Sequence, residues 1–333
     1  MSAVRRAPRV LFRAPLRLSF FGGGSDFPEV FGAQPGAVLS TAIDFASHVA
    51  VTRPPAGLYE APIRLFHHAV ELCAGVDEIE HPLLRAALEG TDVETLEIHS
   101  AGDLPSGTGL GSSSSFTVAL LGALDAARGR ERSALDLAYA AIELERRVER
   151  GAVGCQDQVM AALGGLRRLE FRAVDDIDAD AVSLSPGRLA ELQASLLLVH
   201  AGGRRAAPRL ERRKLDRVEA NRETLRSMVA QVDRACAVLT GAGPLEPFGD
   251  MLAEAWDAKR RLAPGVSTPD IDALYDTCRR AGAVGGKLLG AGGGGFLLLF
   301  VPPERQDAVV RACGRTVLRP RLAQPGARRL DGA

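Results

Sequence analysis

A run of glycines and serines, Leu104-Pro105-Ser106-Gly107-Thr108-Gly109-Leu110-Gly111-Ser112-Ser113-Ser114-Ser115, follows a strand-like stretch around Leu96 and Ile98 and enters an apolar segment. The pattern predicts strand, loop and helix, with the helix over Ser112 to Arg128. Glycines let backbone N–H groups converge on one point, and the start of a helix adds free donors and the positive end of its dipole. Such a turn is a seat for a polyphosphate, and its serine hydroxyls suit a phosphate oxygen or Mg²⁺. A Walker A loop needs Gly-Lys-Ser/Thr at its end and a Rossmann fingerprint needs Gly-x-Gly-x-x-Gly after a chain-initial strand; neither spacing is present. A flexible linker would continue polar, whereas Phe116, Val118, Leu120 and Leu121 make the next segment a core helix.

At 333 residues the chain is longer than one ordinary domain, which favours two lobes, here placed at 1–187 and 188–333. Residues 9–21 read as strand, strand and tight turn before three glycines, and 37–52 as a second extended stretch. Apolar residues at helical spacing from Ser133 to Glu149 predict a helix that Gly151 to Gly154 ends, with another starting near Gln156. The acidic, then turn-rich segment from Asp175 to Gly187 is the expected crossing between lobes, after which Leu196 to His200 restarts a buried strand. Residues 209–240 read as one long helical stretch whose charges form a solvated face. Helices follow at 245–261 and 268–281, then a glycine-dense segment from Lys287 to Gly295 and an apolar strand from Phe296 to Val301. The last dozen residues, rich in Arg, Pro and Gly, read as a frayed tail.

The 41 basic and 41 acidic residues cancel, so no basic field is available to hold nucleic acid or an anionic membrane. Among the basic residues only Lys214, Lys259 and Lys287 are lysines; the arginine excess reads as codon bias spread over a solvated surface. Five scattered cysteines without CxxC spacing indicate neither a disulfide framework nor a zinc site, which fits a reducing cytoplasm. Arginines interrupt the N-terminal apolar residues, and nowhere do 18 apolar residues run together, so neither a signal peptide nor a membrane span is expected.

The loop's Pro-x-x-x-Gly-Leu-Gly-Ser-Ser resembles the ATP-phosphate motif of the GHMP kinases. Ala14-Pro15-Leu16-Arg17-Leu18-Ser19-Phe20-Phe21-Gly22-Gly23-Gly24-Ser25-Asp26 is similar to that family's first motif, and Lys287-Leu288-Leu289-Gly290-Ala291-Gly292-Gly293-Gly294-Gly295 to its third. The resemblance implies a two-lobed α+β fold, with a ribosomal-protein-S5-domain-2-like N-terminal lobe, a ferredoxin-like C-terminal lobe and the active site between them. It implies an ATP- and Mg²⁺-dependent kinase whose nucleotide lies on Pro105, Gly107, Gly109, Leu110, Gly111 and Ser112 to Ser114. Gly154-Cys155-Gln156-Asp157-Gln158 resembles the segment carrying the catalytic aspartate of the sugar-kinase branch, making Asp157 the general base; read without the family, it could be a helix cap or a surface carboxylate. Arg17 matches the arginine that keeps this aspartate ionised and neutralises charge on the transferred group. Glu145, with Ser114, matches the Mg²⁺-binding position, with Glu143 and Glu149 as competitors.

The triple glycine replaces the Glu-His pair that helps galactokinases hold galactose, while Asp26 remains to accept hydrogen bonds from adjacent sugar hydroxyls. In this form the first motif, with Gly-Cys-Gln-Asp-Gln and the third motif, resembles the kinases of D-glycero-D-manno-heptose 7-phosphate, near the fucokinase-like enzymes. Gly23, Gly24, Ser25, Asp26, Gly292 and Gly293 are then expected against the sugar, and Arg205 against its phosphate. The partner expected is a small sugar or sugar phosphate, with no nucleic acid and no membrane, and a homodimer is left open. Alternatives are another monosaccharide 1-kinase, a nucleotide- and sugar-binding regulator without catalysis, and an isoprenoid or amino-acid alcohol as acceptor.

Overall fold

The computed structural model describes residues 9–91, 93–203 and 207–330. Its spine is strand β1 (Val10–Phe21), paired antiparallel with β2 (Gly36–Thr52). The sequence suggests two strands in 9–21, but they are one, with the register shifting at Pro15/Arg17 and again at Ser19/Phe21. Proline has no N–H to give the ladder, so a bulge beside Pro15 keeps the strand continuous while re-aiming its side chains.

Strands β3 (Ile63–Phe66), β4 (Val70–Cys73), β5 (Leu96–Gly102), β6 (Leu166–Ala173) and β7 (Asp176–Ala181) complete most of the first sheet. A four-stranded second sheet holds β8 (Leu196–Gly202), β9 (Gly285–Leu288), β10 (Gly295–Phe300) and β11 (Val317–Leu318). Its order, β11-β8-β10-β9, with every pair antiparallel, is the order of a ferredoxin-like sheet. The last strand, β12 (Arg328–Arg329), returns to the first sheet beside β1, making it eight-stranded.

The helices are α1 (Pro28–Phe31), α2 (Pro82–Leu88), α3 (Ser112–Ala127), α4 (Ala134–Val148), α5 (Gln156–Leu163) and α6 (Pro186–Ala194). In the second half they are α7 (Ala207–Leu215), α8 (Arg222–Thr240), α9 (Glu246–Arg261), α10 (Pro269–Arg280) and α11 (Gln306–Cys313). Local chemistry sets several starts. The Ser133 hydroxyl accepts from the Asp136 amide at 3.1 Å to open α4, and Thr268 does the same for α10 ahead of Pro269. Helix α3 lies against β1 closely enough that a Cβ on Gly122 would meet the Phe12 ring at 2.4 Å.

Strand β1 serves two cores. Val10 and Ala14 pack with α3, α4 and α5, whereas Leu16, Leu18, Phe20 and Phe21 pack with α8, α9 and the second sheet. Phe20 and Phe21 both meet Phe248 edge-on, with ring centroids at 5.3 and 5.1 Å. Consecutive residues of a strand point to opposite faces, so this convergence shows the strand end embedded in the second core.

Three expectations are corrected. Asp176–Ala181 is a strand of the β6–β7 hairpin rather than connecting loop, because its partner β6 supplies the hydrogen bonds that its acidic sequence does not advertise. The 209–240 stretch is two helices, α7 and α8, broken at 216–221, where Asn221 donates its side-chain amide to Leu262 O at 2.7 Å. As far as residue 330 the tail is not frayed; 331–333 lie outside the described residues. Leu322 is buried, Ala327 N donates to Ala161 O at 2.9 Å, and Leu330 N donates to Leu11 O at 2.8 Å. Backbone bonding fixes this segment, and so it carries almost no hydrophobic signal. A division of the chain at 187/188 leaves this return out.

Candidate active site

Between β5 and α3 the chain turns through Gly107, Gly109 and Gly111, with φ of +77°, +84° and +77°. Gly111 must be glycine on two counts: its conformation is left-handed, and a Cβ would stand 3.3 Å from both Arg17 Cγ and Asp157 Oδ2. It caps α3 with no side-chain acceptor, so the first-turn amides of Ser112, Ser113 and Ser114 have no partner within the helix, and the helical bonding begins with Ser115 N to Gly111 O at 2.9 Å. All three serines line one cleft, shared with Arg17, Asp26 and Asp157. Ser115 does not, since its hydroxyl donates to Ala14 O at 2.7 Å and pins the helix to β1.

The bulge in β1 aims Arg17 beneath this loop. Its Nη1 donates to Gly109 O at 2.7 Å, while Nε and Nη2 donate to Asp157 Oδ1 and Oδ2 at 2.7 and 2.6 Å. Asp157 sits in the first turn of α5, and its side chain keeps 24% exposure and lines the cleft. Beside it, Asp26 accepts from the amides of Gly24 at 3.0 Å and Gln156 at 3.3 Å. Burial, and then the neighbouring Asp157, push the Asp26 carboxyl above the usual carboxylate range.

The three glutamates differ in setting. Glu143 is exposed on α4, Glu149 is exposed at its end and also lines the cleft, and Glu145 is buried at the cleft wall. Its Oε2 accepts from Ser114 Oγ at 2.9 Å and from Gln158 Nε2 at 2.8 Å, and Oε1 has no hydrogen-bond partner. Burial pushes its carboxyl up to about 7. A buried acceptor left over beside a hydroxyl is a donor set that fits a hard divalent cation.

The three lysines of the chain all line this same cleft. Lys287 is buried and donates to Phe20 O at 2.8 Å; burial, then Arg17 and Lys214, push its ammonium down to about 7. Lys259 donates to Leu288 O and Gly290 O at 2.7 and 2.5 Å, and Lys214 pairs with Glu211 at 2.5 Å. Helix α7 therefore presents charges to the cleft, against the expectation of a wholly solvated face. These lysines, with Glu211 and Gln156, went unassigned in the sequence, although lysine's rarity there was the available signal.

Other expected residues stand elsewhere. Pro105 is exposed, and Leu110 is buried with its side chain in the second core. Ser25 is fully buried and its hydroxyl bonds Gly22 O and Ala37 O, closing the β1–β2 connection instead of facing the cleft. Gly23, Gly24 and Asp26 do line it. Gly290 and Ala291 line it in place of Gly292 and Gly293; a Cβ on Gly292 would meet Val266 at 2.8 Å, so that glycine lets two stretches of backbone touch. Arg205 lies outside the described residues.

Residues 79–165 match the GHMP kinases N terminal domain, and residues 233–318 match GHMP kinases C terminal. Over 312 residues, 90% of this chain and 91% of the relative, there is 25% identity with the D-glycero-alpha-D-manno-heptose 7-phosphate kinase of Campylobacter jejuni. Identity reaches 32% over 228 residues, 66% of this chain and 68% of the relative, with a mevalonate kinase of Methanothermobacter thermautotrophicus. A solved D-glycero-D-manno-heptose 1-phosphate kinase from Bacteroides thetaiotaomicron superposes with a TM-score of 0.80 at 22% identity, over 97% of this chain and 99% of its own, a likeness of fold. No helix among the described residues is long and apolar enough to cross a membrane.

Proposed function

The chain belongs to the GHMP kinases, which use ATP as phosphoryl donor, and from that membership we propose that it phosphorylates the anomeric hydroxyl of a heptose phosphate. The observation that carries this reading is the Arg17–Asp157 pair under the glycine loop, with Asp26 on the same wall of the cleft. The loop amides of Ser112 to Ser114 receive the ATP phosphates. Asp157 faces the acceptor hydroxyl and takes its proton as the new P–O bond forms, while Arg17 holds that carboxylate in place. Asp26, fixed by two backbone amides, accepts from hydroxyls of the sugar. Ser114 and Glu145 would hold Mg²⁺, which when bound neutralises phosphate charge.

The acceptor wall supports a sugar over an isoprenoid alcohol, since Ser19, Asp26, Gln156 and Asp157 make it polar. The phosphate on the sugar is supported by Lys214 and Lys259, which line the cleft from the opposite half of the chain, and by Arg205 in sequence. The deciding experiment is a kinase assay with the product identified, run over heptose 7-phosphate, the unphosphorylated heptose, mannose, fucose, galactose and mevalonate. The reading requires the highest kcat/KM with heptose 7-phosphate and phosphate on C1. A preference for fucose would make the enzyme fucokinase-like, and a preference for mevalonate would remove the sugar altogether.

A further inference from the structure

Outside the cleft, three of the six histidines of the chain gather at the turn between β3 and β4. His67 and His68 form that turn, and His81, 13 positions on from His68, stands ahead of α2 and faces them. One ring nitrogen from each lies within 4.8 Å of the other two. From His67, His68 and His81 we propose a site for one zinc-class divalent transition metal, bound through imidazole nitrogen.

The tautomer of His67 is the first support. Its Nε2 lies 2.8 Å from Glu71 Oε1, and this carboxylate also accepts from the amides of Glu80 at 2.5 Å and His81 at 3.2 Å. An acceptor held so firmly keeps the proton on Nε2, which donates to it, and leaves the Nδ1 lone pair of His67 pointing away from Glu71, met by the Ala69 amide only at a long 3.4 Å. That is the carboxylate–histidine–metal arrangement, in which the outer carboxylate orients the ring and raises its basicity. The second support is what Nδ1 faces: Nδ1 of His68, at 3.1 Å. Two ring nitrogens this close need one positive centre between them, a proton or a metal. Zinc–nitrogen bonds of about 2.0 to 2.1 Å at tetrahedral angles place two ligand nitrogens about 3.3 Å apart, so the pair is spaced for metal already.

His81 closes the third side. Its Nδ1 accepts from the Leu84 amide at 3.4 Å as the cap of α2, a long bond that costs little to exchange, and its ring packs 5.5 Å from Phe116 of α3. A bound ion would thus tie the β3–β4 hairpin to the segments that carry Leu83 and the phosphate loop's helix. Imidazole ligands select zinc, cobalt, nickel or copper over Mg²⁺ and Ca²⁺, which keeps this site separate in chemistry from Ser114 and Glu145. The exposed His68 provides the entry path.

The test uses full-length protein stripped with chelator and supplied with excess Mg²⁺ to occupy the cleft carboxylates. Zn²⁺ is titrated by calorimetry and Co²⁺ by visible absorption. The proposal expects one ion per chain with an intense tetrahedral Co²⁺ spectrum, and at least a tenfold loss of affinity in His68→Ala and in His81→Ala. Glu71→Gln should lose about 10- to 100-fold, the usual effect of removing an outer-shell carboxylate. His68 is exposed, so its variant should fold whatever the fate of the other two. Absence of Zn²⁺ binding in the wild type, or binding unchanged in both histidine variants, would overturn the site and leave a proton shared between His67 and His68.

Discussion

Arg17 and Asp157 are 140 positions apart in the chain and meet through two parallel hydrogen bonds of 2.7 and 2.6 Å. The remaining arm of the guanidinium holds Gly109 O at 2.7 Å, so one side chain fixes both the aspartate and the glycine loop. The fork shape is needed for this, since an ammonium would keep the charge but could not hold both oxygens and the loop.

Replacing Asp157 by Asn should keep the fold and nucleotide binding while kcat falls by about 10²- to 10⁴-fold, the usual worth of a positioned base. Steady-state kinetics beside an ATP dissociation constant separates the two effects. A loss below tenfold would mean that positioning, not proton removal, dominates phosphoryl transfer here.

Glu145 must be ionised to hold Mg²⁺, and its carboxyl is pushed up to about 7. The apparent Mg²⁺ activation constant should therefore weaken as pH falls through about 7, approaching tenfold per pH unit on the acid side. Glu145→Gln should give a weak constant with no such slope, and Ser114→Ala a weak constant that keeps it. A wild-type profile flat across this range would remove Glu145 from the metal shell.

Lys287 has the opposite sign. Its folded value is depressed to about 7 from an ordinary 10.5, so the unfolded chain binds the extra proton between those values. Its contribution to stability is present above about 10.5, declines as pH falls, and is lost by about 7. Urea melts over this range should show the free protein losing stability toward neutral pH more steeply than Lys287→Met, and bound ATP should reduce the difference by giving the ammonium an anion.

Arg205→Ala should raise KM for a phosphorylated heptose far more than for its unphosphorylated analogue, because each charge-assisted bond to phosphate is worth about 1.5 to 3 kcal/mol. Arg205→Lys should recover part of the loss. Equal losses for both sugars would make this arginine structural.

Ending the chain after Leu318 should lower the melting temperature by several degrees or prevent folding, since it removes the buried Leu322 and the backbone bonds to Ala161 and Leu11. A truncated protein as stable as the full chain would restore the reading of a loose tail.

Much of this was legible in residue order. The glycine–serine loop, its apolar helix, and the resemblance carried by Arg17 and Asp157 located both walls of the cleft, because each motif is local and its chemistry is written in adjacent residues. What the sequence hid was long-range. Ser25 sits within a binding-like motif yet spends its hydroxyl on Gly22 and Ala37, a partnership that only the folded β1–β2 connection reveals. Lys259 and Lys287 look like ordinary surface cations until α9 and β9 bring them to one cleft. The tail failed for a different reason: main-chain hydrogen bonds hold it, and these leave no mark on side-chain periodicity.

The return of that tail also governs how the two halves of the molecule are fastened. The second sheet is an insertion between β7 and β12, joined to the first at both ends by 182–185 and 319–322. Both crossings are anchored on the same pair of strands: Val182 N donates to Leu166 O of β6, Leu166 pairs with Thr41 of β2, and the Thr41 hydroxyl accepts from Ala323 N. The buried end of β1 is a third tie, since Phe20 and Phe21 pack in the second core and Phe20 O accepts from Lys287. Three ties spread over the sheet hold the two lobes against one another as the legs of a tripod hold a plate. A single proteolytic nick in either crossing would leave the other still holding the pieces in register.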